Sequence, residues 1–306
     1  MTISVPERRS VGVDAFAAGI RECFPGLSVG PLRVVEGFDR GWTNETCFAG
    51  EDLVFQTPID DTTHDTFQLQ RRLLPRLAPT LPCRVPDFAF YAEHCAAVDG
   101  PLAGYHRVKG KPLSVPTLQS MSPHNRRRLA AQIASLLRAL HAFPVDEARA
   151  AGVREEIVER VEWITNTLVT RVEEHLPAHL RQLARQRMAA CLDAARSLRQ
   201  PLILIHSDLV ERHLIIDSDQ LSGVIDWGGV TLGDLAYELA NPLYFYGREF
   251  IEEILADYPD PGDALRVAAE VWVPAIPIAW LDHAVDSGDT EFFAAAVERF
   301  AEHSAR

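Results

Sequence analysis

Residues 202–226 read LILIHSDLVERHLIIDSDQLSGVID, and this stretch carries the side chains most suited to chemistry. An apolar run ends in His206-Ser207-Asp208, His213 follows five residues after Asp208, and a second apolar run and a polar turn lead to Val224-Ile225-Asp226. Phosphoryl transfer asks for such a set. One carboxylate orients or deprotonates the attacking hydroxyl, and further ligands hold the magnesium that neutralises the phosphates. Magnesium keeps several waters, so few protein ligands are expected. On this reading Asp208 is the catalytic base or hydroxyl-positioning group, while Asp226 and His213 hold the metal. An isolated His-x-Asp is more often a turn or a cap. The ordered series of strand, loop, histidine, strand, turn, strand and Asp-Trp gives the reading its weight. His206 reads as structural, hydrogen-bonding the loop.

The elements that must position these groups follow from periodicity. Residues 10–25 form an amphipathic helical pattern that stops at Pro25-Gly26. Short apolar runs at 32–35, 46–48 and 53–55, with glycines at 41 and 50, read as a strand meander. Residues 64–77 return to helical spacing, and strands are expected at 87–92 and 103–108. The character then changes. Ser122-Pro123 opens a helix as N-cap and first-turn proline, and an apolar stripe from Leu129 to Leu140 continues it. Residues 153–199 and 235–302 read as helical. The spacing therefore predicts an α+β architecture of two lobes, 1–108 and 109–306, hinged at Lys109–Pro116. A cleft between lobes is the expected ligand site.

The chain has 306 residues, 47% of them hydrophobic, and a formal net charge of −13. That balance argues against nucleic acid and anionic membranes as partners and suits a cationic ligand. The five cysteines are scattered with no CxxC pair, which reads as free thiols in a reducing compartment and not as a zinc site or disulfide frame. No uninterrupted apolar run approaches the roughly 18–20 residues of a membrane span. The first residues lack a secretory core, so a cytoplasmic location is expected.

The HSDL loop, His213, Ile225-Asp226-Trp227 and Gly233-Asp234 together resemble the aminoglycoside phosphotransferase superfamily, small-molecule kinases with a protein-kinase-like fold that include macrolide kinases. The resemblance implies a small N-terminal lobe with an antiparallel sheet, a larger, mainly helical C-terminal lobe, ATP or GTP as donor, and Mg2+. It extends to Asp39–Asn44, similar to the family's nucleotide-covering turn. Leu53–Pro58 looks like its third strand, and Tyr105-His106-Arg107-Val108 like its inter-lobe hinge, whose backbone reads the purine. Gly41, Asn44, Gln56, Tyr105, His106 and Arg107 thereby become nucleotide-side candidates. Asp234 falls on the aspartate that caps a helix and braces the loop.

Two departures stand out. Gln56 occupies the third-strand position where relatives carry Lys or Arg for the phosphates, and Gln70 the position of the glutamate that pairs with it. An uncharged Gln–Gln pair avoids a lone buried ion. Arg40 or Lys109 substitutes for the cation, magnesium carries the load, or catalysis is slow or absent. For the acceptor pocket the candidates are Trp280, Asp282 and Asp286, with Asp234 and Glu238 beside them, although aromatics at helical spacing are more often core. The expected activity is O-phosphorylation of a small cationic antibiotic (an aminoglycoside, macrolide or basic cyclic peptide), conferring resistance. A metabolic kinase of an amino alcohol or sugar is the second reading, and a catalytically impaired nucleotide-binding pseudokinase the third.

Overall fold

The computed structural model describes residues 10–35, 43–59 and 64–304. Its N-terminal part is helix α1 (Val13–Cys23), strands β1 (Leu32–Val34), β2 (Asn44–Ala49) and β3 (Leu53–Pro58), helix α2 (His64–Leu77), then β4 (Phe90–Cys95) and β5 (Gly100–His106). The strands form one antiparallel sheet in the order β1-β2-β3-β5-β4. Apolar alternation gives it a buried face, where Cys47, Phe55 and Leu102 meet Phe16 and Ile20 of α1. Gly104 stands opposite Phe55, and a Cβ there would lie 2.4 Å from the Phe55 ring. Leu73, Leu74 and Leu77 of α2 turn instead toward the C-terminal core. Arg72 Nε donates to Ala151 O at 2.8 Å, so this helix ties the two parts together.

β4 begins at Phe90 rather than Asp87. The Asp87 carboxylate accepts the N–H groups of Ala89 (3.3 Å) and His106 (3.1 Å), and Phe88 adopts φ 41°. A side chain that captures nearby backbone donors closes a turn before a strand can start.

The larger, mainly helical part continues with β6 (Lys111–Pro112), α3 (Val115–Ser120), α4 (Pro123–His141), α5 (Val145–Ala151), α6 (Ile157–Thr167) and α7 (Ala178–Arg196). Ser122 Oγ accepts the Asn125 N–H at 3.2 Å, the N-cap that the sequence signals for α4. There follow β7 (Ile203–Ile205), β8 (Leu214–Asp217), β9 (Gln220–Val224), β10 (Thr231–Gly233), α8 (Leu235–Leu255), α9 (Ala264–Val267), α10 (Ile276–Ser287) and α11 (Thr290–Ser304). The helical stretch expected over 153–199 is interrupted at its start. There Arg154 O accepts from Leu232 N (3.0 Å) and Glu156 N donates to Thr231 Oγ1 (3.2 Å), so this backbone pairs with β10 instead of coiling. Ala264–Val285 is long and apolar enough by composition to cross a membrane, yet Ala268, Trp272 and Leu281 are buried in the core.

β8 and β9 form a hairpin whose turn residues Ser218 and Asp219 both have positive φ, the primed geometry that matches strand twist. β7 pairs with β10. These two short sheets carry the catalytic candidates.

Candidate active site

β7 runs directly into His206, Ser207 and Asp208. His206 is fully buried and touches the loop at both ring nitrogens. The Asp208 N–H donates to Nδ1 (3.3 Å), so Nδ1 carries the lone pair and Nε2–H donates to Ile225 O (3.2 Å). Burial holds its pKa below the ordinary value, in keeping with this neutral tautomer. One imidazole thus ties the backbone of Asp208 to the residue before Asp226.

Ser207 sits at φ 67°, a left-handed conformation that costs a non-glycine residue about 1 kcal/mol or more. Each of its polar groups is held. Its N–H donates to Glu238 Oε2 (2.7 Å), and its hydroxyl donates to Gly229 O (2.6 Å) and accepts from Arg160 Nη1 (3.0 Å). Its carbonyl accepts from Asn241 Nδ2 (3.0 Å). The same Asn241 amide lies 3.4 Å from Asp208 Oδ1. Glu238 also accepts the His206 N–H (3.1 Å). Burial pushes the Glu238 carboxyl up. His141, whose Nε2 lies 3.8 Å away, and the Ser207 N–H outweigh that and hold it below the usual carboxylate range.

After Asp208 the chain turns tightly, with Val210 N to Asp208 O at 2.9 Å and His213 N to Val210 O at 3.0 Å. His213 Nδ1 is 2.7 Å from Asp208 O and must donate to it. Nε2 is left facing Asp226 Oδ2 at 3.3 Å. Asp226 adopts φ 62° at the end of the hairpin, and the turn behind it is pinned by buried Trp227, whose Nε1–H reaches Val224 O at 3.0 Å. Ligand atoms of Asp208, His213 and Asp226 lie within 4.8 Å of one another. An imidazole lone pair and carboxylate oxygens turned toward one another fit a shared divalent cation.

Among the residues expected to meet nucleotide, Tyr105 is buried edge-on to Phe88, and burial, then the Asp226 charge, push its phenol up. Asn44 is buried, and its Oδ1 has no hydrogen-bond partner among the described residues. The amides of His106 and Arg107 are already bonded, to Asp87 and to Asp52 O (2.8 Å). The His106 ring pairs with Asp87 (2.7 Å), and the Arg107 guanidinium lies over Phe48. Neither backbone amide is therefore left to donate to a ligand. Gln56 Nε2 donates to Thr46 Oγ1 (3.2 Å), while buried Gln70 approaches the turn after Asp226, with Nε2 4.0 Å from where a Gly228 Cβ would stand. Arg40 and Gly41 lie outside the described residues.

The acceptor candidates scatter. Asp234 caps α8 by accepting the Tyr237 N–H (3.0 Å), and Glu238 is buried beneath the catalytic loop. Trp280 packs among Tyr244, Phe245 and Phe292, buried Asp282 pairs with Arg171 (3.2 Å), and the Asp286 side chain lies outside the described set. Beside Ser207 lies instead a cleft of about 330 Å³ lined by Arg154, Glu155, Glu156, Glu159, Arg160 and Trp163. Trp163 is 60% exposed. Arg160 forms the shared wall, since it also donates to Gly229 O (2.8 Å). Three glutamates followed by a tryptophan were the available signal for this cleft, and Asn241 had none.

A profile of the family described as "Phosphotransferase enzyme family" matches residues 34–270. Viomycin phosphotransferase from Streptomyces vinaceus is 30% identical over 169 residues, 53% of this chain and 57% of that protein, so the match spans little more than half of the relative. Among solved structures, the GDP and kanamycin complex of APH(2″)-IIIa superposes with a TM-score of 0.82 at 23% identity, covering 95% of this chain and 98% of that one. Macrolide 2′-phosphotransferase type I gives 0.69 at 23% identity, with 96% and 98% covered. At such identities the likeness concerns the fold, which is the two-lobed kinase-like one.

Proposed function

The chain belongs to the phosphotransferase enzyme family, and from that premise we propose that it moves the γ-phosphoryl group of ATP or GTP onto a hydroxyl of a small cationic antibiotic, in the cytoplasm. The observation that carries this is the convergence of Asp208, His213 and Asp226 within 4.8 Å, beside a cleft rich in glutamate. Residues 1–108 serve the donor, and 109–306 carry catalysis and bind the acceptor. Asp208 orients the acceptor hydroxyl and accepts its proton as the oxygen attacks phosphorus. Asn241 and the rigid Ser207 fix that carboxylate. His213 and Asp226 would hold Mg2+, which neutralises phosphate charge when bound. His213 presents Nε2 because Asp208 O takes its other proton. Glu155 and Glu156 are paired with Arg149, Arg154 and Arg160, so Glu159 is the group that draws in an amine of the acceptor, and Trp163 offers it a face. The likeness to a viomycin phosphotransferase makes a basic cyclic peptide the first acceptor to try.

A second reading has its own observation. Gln56 and Gln70 leave the donor side without its customary ion pair, and Gln56 is engaged by Thr46, which favours a nucleotide-binding protein that turns over slowly or not at all. One assay separates the two. Triphosphate consumption is followed over a panel of cyclic-peptide, aminoglycoside and macrolide antibiotics, amino alcohols and sugars, with Asp208→Ala as control. Antibiotic-dependent turnover that falls roughly 10²–10⁴-fold in the variant, with nucleotide binding kept, is the expected result. Turnover confined to metabolites replaces the acceptor class, and nucleotide binding without turnover on any acceptor supports the second reading. Glu159→Gln should raise KM for a cationic acceptor and leave that for the nucleotide unchanged.

A further inference from the structure

All five cysteines are free, and two of them meet. Cys23 closes α1 and Cys95 closes β4, and their Sγ atoms lie with a carboxylate oxygen of Glu22 within 4.8 Å of one another. Separate contacts hold each of the three in place. A Cβ on Gly19 would come within 2.8 Å of Cys95 Sγ, so the bare glycine lets the helix settle against this sulfur. Glu22 Oε1 accepts the Ala96 N–H at 3.2 Å, fixing the carboxylate beside the end of β4. Cys95 is buried in the N-terminal core, Cys23 is partly exposed and Glu22 is exposed. The cluster therefore has a dry sulfur end and a solvent-facing oxygen end.

We propose that Cys23, Cys95 and Glu22 form a binding site for a thiophilic divalent cation of the zinc type, which fastens the end of α1 to the sheet. Zinc–sulfur bonds of about 2.3 Å set two sulfurs roughly 3.8 Å apart around a tetrahedral ion, inside the 4.8 Å within which these ligand atoms lie. Two sulfurs and one oxygen leave the fourth position to water, which the open side of Glu22 admits. The ligand set differs in kind from Asp208, His213 and Asp226, whose oxygens suit a hard cation. Coordination replaces the two thiol protons, which pass to solvent, with no change of oxidation state.

Cadmium, added to the reduced and chelator-stripped full chain, is the probe. The expected result is thiolate-to-metal charge-transfer absorbance saturating at one equivalent, with protons released and the unfolding midpoint raised. Because Cys95 is packed in the core, Cys23→Ser and Glu22→Gln carry the test. Cys23→Ser should abolish both the absorbance and the midpoint shift, Glu22→Gln should weaken cadmium affinity, and Cys83→Ser should change neither. Absence of the band at one equivalent, or its persistence in Cys23→Ser, overturns the site.

Discussion

The side-chain amide of Asn241 reaches the Ser207-Asp208 loop twice, donating to Ser207 O at 3.0 Å and lying 3.4 Å from Asp208 Oδ1. It comes from α8, in the stretch before the break at Gly247, so the helix that Asp234 caps sets the direction of the candidate base. A hydrogen bond to a charged group contributes about 1.5–3 kcal/mol. Asn241→Leu, close in shape but without the donor, should lower kcat roughly ten- to a hundredfold. Steady-state kinetics should show both KM values unchanged, and thermal melts should show the fold intact. A parallel loss of stability and activity would reduce Asn241 to a packing residue.

Ser207 offers a test in stability. Its φ of 67° suits glycine, but its hydroxyl makes two hydrogen bonds that glycine lacks. Ser207→Gly relieves strain of about 1–3 kcal/mol and loses two bonds together worth about 2–4 kcal/mol, so the two effects oppose one another. Ser207→Ala keeps the strain and loses the bonds. The expected order of unfolding midpoints puts alanine below both serine and glycine, and calorimetry on the three proteins decides it.

His206 makes stability depend on pH. Its folded pKa lies below its unfolded one because burial penalises the charged ring. In acid the unfolded chain therefore binds a proton that the folded chain refuses. The contribution is complete above the unfolded value of about 6.5 and fades as pH falls toward the folded value, by at most about 1.4 kcal/mol per pH unit. Urea unfolding between neutrality and pH 5 should show this slope in the wild type and a shallower one in His206→Gln. Glu238, also depressed, acts in a lower window, below the ordinary carboxylate range.

The local signals carried far. The meander, the Ser122 cap and the order Asp208, His213, Asp226 are legible because each rests on neighbours in sequence or on one hairpin. What stayed hidden depends on distant segments. Nothing near Arg154 announces that its carbonyl meets Leu232 and keeps the next helix from starting before Ile157. Glu238 carries a carboxylate suited to an acceptor site, yet two backbone N–H groups more than thirty residues earlier in the chain draw it into the core. Trp280 joins an aromatic cluster, while Trp163, one turn beyond Glu159, faces the cleft.

Gln56 permits the last prediction. Its half-buried side chain turns to Thr46, whereas Gln70 on α2 stands close to the turn after Asp226. Gln56→Lys adds a charge able to meet triphosphate, but in a partly desolvated position without a counter-ion, so the unliganded protein should lose stability. Adding Gln70→Glu supplies the counter-ion. The single variant should bind triphosphate more tightly and with a steeper salt dependence, because a new charge pair is screened by salt. It should also melt at a lower temperature than the wild type. The double variant should recover the melting temperature and keep part of the affinity. If calorimetry finds nucleotide affinity unmoved by Gln56→Lys, the third-strand side chain does not face the phosphates, and their charge is met from elsewhere in the cleft.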